Sequence, residues 1–355
     1  MSNNEEEFMS YEGYQGYEQE EQYEDEPKKR RPVRMIIFGA IALVLIAALA
    51  AGGYLFSLAR SFDGQSQKIH DAFPAEENRP QSTGAVNILL LGNDTRAANA
   101  PGENLASIPN GGRSDTMMLV HIPKNRKGVY VTSIMRDTWL NIPGKGEHKI
   151  NAAFALGGVP LAVQTLEELL GTRIDHVASI DFESFKGLTD ALGGVMIDNP
   201  IPFNSDQLHG QHFAKGPQLM DGKEALAFVR ERHAFKDGDY QRVRNQQQFI
   251  KSVLGELLAK DTLLNPGRIS DVVSEISPYI AVDDSLDALK IGQIAASMGG
   301  VRPGSMHFFT LPTKGTGRSP DGVQSIVVPD MNAIDDMAKA LKNDNMAAFL
   351  KSHDL

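Results

Sequence analysis

The sequence predicts an α/β domain with helices on both faces of a central sheet, behind one segment long enough to cross a membrane. Two observations carry the domain. Short apolar runs that end at glycine or proline alternate with amphipathic helical stretches. The chain has 355 residues, 41% of them apolar, which is enough for a sizeable core in one large or two average domains. The third observation is the run Met35 to Ala59, which holds no charged residue.

The elements follow in order. Met1 to Pro27 is dense in Glu and Asp, has no Lys or Arg, and spaces Tyr11, Tyr14, Tyr17 and Tyr23 among the acids. It cannot bury enough apolar surface to offset the entropy of ordering, so disorder is expected. It is either a solvated tail or one that is phosphorylated or bound by a partner. The cluster "KKRRPVR" (Lys28 to Arg34) completes a cytoplasmic segment, 1–34. A spanning helix needs about 20 apolar residues, and 35–58 supplies them. The basic cluster precedes the span, which predicts a cytoplasmic N-terminus, a single pass through the bilayer and an extracytoplasmic remainder. A cleaved signal peptide is the rival, since "ALAAGG" offers small residues. The long preceding tail and the further apolar "YLFSLA" favour a retained anchor. Residues 59–84, with Pro74, Pro80 and Gly84, read as a stalk, and 85–355 as the folded domain.

Within that domain "AVNILLLG" (Ala85 to Gly92), "TMMLVHI" (Thr116 to Ile122) and "GVYVTSI" (Gly128 to Ile134) read as strands. "AVQTLEELLG" (Ala162 to Gly171) is a helix closed by glycine, "DHVASID" a strand, "FESFKGLTDALGG" a helix and "GVMIDNP" a strand. "GKEALAFVRER" reads as a helical turn passing into an extended piece, which would put Arg230 and Arg232 on one side of a strand. From Tyr240 the apolar positions recur at helical spacing, with Asp239 as the expected N-cap and Arg242 and Gln246 on one face. "MHFFTLP" and "MNAIDDMAKALKND" add a strand and a helix with no separate domain boundary.

The charges cluster where strands end. The chain is acidic, at a formal net charge of −10, yet "RERHAFKDGDYQRVR" concentrates arginine. Asp94 and Arg96 follow the first strand, Arg113 and Asp115 precede the second, and Arg136 and Asp137 end the third, with Lys149 further on. Ligands of α/β sheets bind outside strand ends, so charges from separate loops can converge there. Arginine grips phosphate oxygens in bidentate fashion, and aspartate is a hard ligand for Mg²⁺ or Mn²⁺. A pyrophosphate is the anion that this set suits. Each charge contact at about 4 Å is worth roughly 4 kcal/mol at an effective dielectric of about 20, before desolvation. Nucleic acid is not an expected partner, because a chain outside the membrane would rarely meet it. With no cysteine, thiol catalysis, disulfides and Cys-ligated zinc are excluded. No phosphate-loop, serine-hydrolase or zincin motif is present, and His148, His209, His212 and His233 lack ligand spacing and are expected on the surface.

The set "NILLLGNDTR", "GGRSDTMMLV", "SIMRDTWLNIPG", "HKINAAFALGG", "DALGGV" and "FVRERHAFKDGDYQRVRNQQQFI" resembles the LytR-CpsA-Psr family of envelope enzymes, from about Val86 to the C-terminus. The resemblance implies an α-β-α sandwich with a central mixed sheet and an apolar, lipid-accepting cavity. It implies a phosphotransferase that moves a glycopolymer, such as teichoic acid or capsule, from a polyprenyl-pyrophosphate carrier to a peptidoglycan sugar hydroxyl. By motif, Asp94 and Asp115 match the metal position. Arg113, Arg136, Lys149, Arg230, Arg232, Arg242 and Gln246 match the pyrophosphate-binding and catalytic set, with Asp239 the acid between them. Asp115 and Asp239 are both open as general base. The alternatives are a polyprenyl-diphosphate hydrolase and a non-enzymatic binding or regulatory protein.

Overall fold

The computed structural model describes residues 33–93, 114–257, 265–299 and 301–355. The acidic tail up to Pro32, and Asp94, Arg96 and Arg113, lie outside the described residues. Helix α1 (Val33–Gln65) is helical through the whole expected span. Along it Leu49, Leu55 and Phe56 are 75%, 62% and 67% exposed. Residues Tyr54 to Leu355 form one compact unit.

That unit continues with β1 (Gln67–Ile69), β2 (Val86–Asn93), β3 (Ser114–Ile122), β4 (Val129–Ile134) and the hairpin β5 (Trp139–Ile142) to β6 (Gly146–Lys149). Next come α2 (Asn151–Leu170), β7 (His176–Asp181), α3 (Phe182–Ala191), β8 (Val195–Asn199), β9 (Phe203–Asn204), β10 (His212–Phe213) and β11 (Gly216–Met220). Then follow α4 (Gly222–Arg230), α5 (Asp239–Leu257), α6 (Pro266–Ile276), β12 (Ala281–Asp283) and α7 (Ala288–Ser297). The chain closes with β13 (Met306–Thr310), β14 (Thr313–Arg318), β15 (Ser325–Pro329), α8 (Met331–Lys342) and α9 (Met346–Ser352).

Seven strands make one mixed sheet in the order β1-β12-β7-β2-β3-β4-β13. β2 pairs parallel with β7 and antiparallel with β3. Side chains alternate between its faces, as a two-residue period requires. Leu89, Leu91, Met117 and Leu119 face one core with Phe154, Val163 and Leu166 of α2 and Ile334 and Met337 of α8. Met118, Ile122, Val129 and Val131 face the other side, where Ile250 of α5 and Ile294 of α7 pack. Helices therefore cover both faces, and the expected mixed α/β sandwich is what forms.

By length and composition α2 would also be apolar enough to cross a membrane. Its Ala153, Phe154, Ala162, Val163, Leu166 and Leu170 are at most 1% exposed, so it is a core helix. Gly158, at φ 65°, kinks it, a conformation that L side chains adopt only under strain.

The segment expected as a stalk is instead built into the domain. β1 adds a parallel edge strand beside β12, and Ile69 and Ala72 are buried in the main core. Arg79 lies under the surface, its guanidinium bonded to the Glu167 carboxylate at 2.8 Å and stacked 4.4 Å from the Phe73 ring centroid. An ion pair this buried is retained only with good geometry and further bonds, which the Ile174 carbonyl supplies. Glu167, Ile174 and the strand β12 lie about ninety residues or more away in sequence, so local composition carries no sign of them.

Candidate active site

The arginines near the end of α4 are placed by packing from below. Asp221 caps α4 through the amides of Lys223 and Glu224, and Glu224 returns the bond to Asp221 N. A Cβ on Gly222 would strike the Lys186 backbone of α3, so glycine permits the close approach. Phe203, Phe213, Phe228 and Phe249 form a separate apolar cluster beneath the helix. The helix stops at Arg230 because Glu231 turns extended, at φ −64° and ψ 130°. Arg230 and Arg232 thus sit at a helix end and in the following turn, and the expected strand does not form.

Glu231, between them, is fully buried. Its Oε1 accepts from the amides of Arg232, His233 and Ala234, at 3.0, 2.9 and 3.2 Å. Its Oε2 accepts from Ser205 Oγ at 2.8 Å and the Asp206 amide at 2.7 Å, with the Gln207 amide at 3.4 Å. One carboxylate thereby ties the arginine turn to the 205–207 loop. Burial alone would raise its pKa, but these hydrogen bonds outweigh burial and hold it below the ordinary carboxylate value.

Helix α5 closes the other side. The last carbonyls of any helix lack intrahelical partners. Asn245 Nδ2 donates to the Phe228 carbonyl at 3.0 Å, and Gln246 Nε2 to the Val229 carbonyl at 3.3 Å. The glutamine-rich stretch is therefore in part a cap for α4, one turn from Arg230. Asp239 begins α5 but does not cap it; the Gly238 carbonyl accepts the first helical bond, and Asp239 pairs with Arg242 at 2.9 Å.

These elements enclose a cavity of about 430 Å³. One end is apolar, with Leu90, Met118, Phe185, Leu188, Phe249 and Val253. The other end carries Arg136, Arg230, Arg232 and Arg242 against Asp115 and Asp181, with Gln246 between. Arg136 Nη1 donates to Asp115 Oδ1 at 2.6 Å. Burial works against the Arg136 charge, but the Asp115 bond and the charges of Asp115, Asp239 and Asp137 outweigh it and raise its pKa. Arg242 shifts the other way: burial, assisted by repulsion from Arg136 and Arg232, lowers its pKa despite Asp239. Arg230 stacks on Phe182 at 4.3 Å from the ring centroid. Two buried guanidinium nitrogens, Arg136 Nε and Arg242 Nε, have no hydrogen-bond partner among the described residues. Crowded cations with unused donors at the end of an apolar slot suit an anion attached to a hydrophobic chain.

Of the residues expected at the site, Asp115, Arg136, Arg230, Arg232, Arg242 and Gln246 line this one cavity. Asp239 stands behind Arg242. Lys149 lies elsewhere: its Nζ is 3.2 Å from Asp137 Oδ1 and it lines a second, neighbouring cavity. His233, exposed in the turn after α4 as expected, borders the first cavity, and the half-buried His148 borders the second. Asp115 is half-buried and offers hard oxygen, which fits one ligand of a divalent cation; no group of three or more acidic or histidine ligands occurs among the described residues. Glu231 was not among the expected residues. Its signal was an acid set between two arginines, easily taken for a solvated charge.

The fold and the cavity define a mixed α/β sandwich with a partly apolar pocket lined by four arginines. The LytR_cpsA_psr family model matches residues 56–343, and the chain belongs to that family. It is similar to a protein of Oceanobacillus iheyensis named polyisoprenyl-teichoic acid–peptidoglycan teichoic acid transferase TagU, at 31% identity over 86% of this chain and 93% of the relative. Among solved structures, TagV of B. subtilis shares the fold at a TM-score of 0.61 and 24% identity, covering 75% of this chain and 98% of that one. A structure titled TagT bound to LI-WTA matches at a TM-score of 0.56 and 26% identity, covering 77% and 98%.

Proposed function

We propose that this protein transfers a glycopolymer from a polyprenyl-pyrophosphate carrier to a sugar hydroxyl of peptidoglycan, leaving a phosphodiester link. The observation that carries this is the group of four arginines, two with an unused buried donor, at the polar end of an apolar cavity. The names of the relatives support the teichoic acid and peptidoglycan chemistry.

The lipid lies along Phe185, Leu188, Phe249 and Val253, and its diphosphate meets Arg136, Arg230, Arg232 and Arg242. The acceptor oxygen attacks the phosphorus nearest the polymer. The bridging P–O bond breaks, and its electron pair leaves on polyprenyl phosphate. The guanidinium groups stabilise the charge that develops on the phosphoryl oxygens and the leaving group. Asp115, with Asp94, would hold a Mg²⁺ or Mn²⁺ ion, which when bound neutralises further diphosphate charge. By motif, Arg113, which lies outside the described residues, would bind the same anion.

The reading extends to the membrane. Met35 to Leu58 forms a single-pass anchor with its N-terminus cytoplasmic, and the catalytic unit works outside. The uncharged run, the basic cluster before it and the exposed Leu49, Leu55 and Phe56 support this.

The test uses the full chain in detergent, a labelled lipid-diphosphate-linked glycopolymer and peptidoglycan oligomers. Label should become covalently attached to the glycan as polyprenyl phosphate appears. Donor cleavage with water as the acceptor, and no labelled glycan, would make the protein a hydrolase instead.

A further inference from the structure

Among the described residues the second cavity, of about 510 Å³, shares only Arg136 and Arg232 with the apolar one. Its other walls come from elements that the lipid cavity does not use. Asp137 follows β4, His148 and Lys149 end the β5–β6 hairpin, Asn151 opens α2, and Gln324 lies just before β15. Leu156, 46% exposed, and Ala152 and Ala155 supply a small apolar patch.

From these walls we infer that the second cavity is the binding site for the acceptor saccharide, an inference that rests on the transfer reaction proposed above. Two arguments support it. The first is chemical. The walls mix hydrogen-bond donors and acceptors, from a carboxylate, an ammonium, an imidazole and two carboxamides, around a short aliphatic patch. A sugar ring presents hydroxyls of both polarities along its edge and C–H groups on its face, and this lining matches both. A lipid tail would leave the polar groups unpaired, at a cost for each.

The second argument is stereochemical. Displacement at phosphorus needs the attacking and leaving oxygens roughly in line. The leaving oxygen belongs to the lipid phosphate, on the side of Phe185, Leu188 and Phe249. The attacking hydroxyl must reach the phosphorus beside Arg136 and Arg232, and that same pair lines the second cavity. The polymer's own sugar stays bonded through an equatorial oxygen of the same phosphorus and extends sideways, so it does not compete for the in-line position. Among the described residues Asp137 is the one carboxylate lining this cavity, and its Oδ1 is held 3.2 Å from Lys149 Nζ. It is placed to accept the hydroxyl's hydrogen bond and, as the new P–O bond forms, its proton, which then passes to solvent.

The test is steady-state transfer by the full chain in detergent, with the probe a soluble, uncrosslinked peptidoglycan oligosaccharide of defined length. Asn151→Ala and Gln324→Ala are the variants; Gln324 is exposed and Asn151 half-buried at a helix start, so both should fold, and melting curves check it. The acceptor KM should rise about tenfold or more in the double variant, with the donor KM changed less than twofold. Asp137→Asn should instead lower kcat with little change in the acceptor KM. An unchanged acceptor KM would overturn the assignment while leaving transfer intact. A rise in donor KM alone would give the cavity to the polymer and also overturn it. If the wild-type chain labels no glycan at all, the transfer reading falls and this inference falls with it.

Discussion

Replacing Glu231 with glutamine tests whether the arginine turn is held from below. The carboxylate divides its two oxygens between two loops, three donors each. A glutamine has one carbonyl oxygen, and its NH₂ group faces donors. One loop therefore loses its acceptor whichever way the amide turns. An unsatisfied buried donor costs about 1–3 kcal/mol, and the exposed residues His233 and Ala234 can recover theirs from water, so Glu231→Gln should lose about 2–4 kcal/mol of stability. Urea denaturation of the domain reads this directly. Transfer should suffer more than stability does, because the freed turn carries Arg232. At a temperature where the variant is fully folded, kcat should fall at least tenfold with the melting transition still cooperative.

The same residue fixes a pH dependence. Its folded pKa lies below the ordinary value of 4.5. A depressed carboxylate contributes stability that is complete above its unfolded value and lost as pH falls through the folded one. Wild type should therefore lose stability steadily below about pH 4.5, and Glu231→Gln should lose less over that window. A Glu231→Gln protein that melts, titrates and transfers like wild type would refute the reasoning, and the hydrogen-bonded carboxylate would then be incidental.

Further expectations follow from the site and the fold. Arg232→Ala should nearly abolish transfer without lowering the melting temperature, since its side chain faces the cavities; unfolding would make it structural. Excess chelator should stop transfer and Mg²⁺ or Mn²⁺ restore it, with metal binding weakened in Asp115→Asn by calorimetry; full activity in chelator would remove the ion from the reading. His121 is buried and burial lowers its pKa to about 4, so the native state keeps it neutral. Stability should be complete above about pH 6.5 and fall as pH drops towards 4, and His121→Gln should reduce that slope in melts taken across the range. Protease added to intact protoplasts should digest the domain and spare the acidic tail; a digested tail would reverse the topology.

The sheet was legible because its signal is local. Alternation in "NILLL" and "TMMLVHI" puts Leu89 and Leu91 on one face and Leu90 on the other whatever the partner strand, and the helices that cover each face carry their own period. The stalk was misread because its three-residue strand Gln67–Ile69 has no period to show, and it is fixed by Ala281–Asp283, more than two hundred residues later. The site divides in the same way. Arginine at strand and helix ends could be read as a pyrophosphate grip, because chemistry alone makes arginine unusual in an acidic chain. What holds the arginines could not. Asp239 has the residue type and place of an N-cap, yet its carboxylate serves Arg242 instead, because that guanidinium is buried and crowded by Arg136 and Arg232. Gln246 was assigned to the anion by motif, while its amide bonds the Val229 carbonyl, a donor–acceptor match that requires knowing where α4 ends. Glu231 is the sharpest case. Between two arginines in sequence it looks like their counter-ion, but its bonds go to backbone amides and Ser205, leaving both guanidinium groups uncommitted to it. An acid that organised the turn by pairing with the arginines would neutralise them. By taking only backbone and hydroxyl donors, it fixes the turn and leaves their charge available to the diphosphate of the proposed reaction.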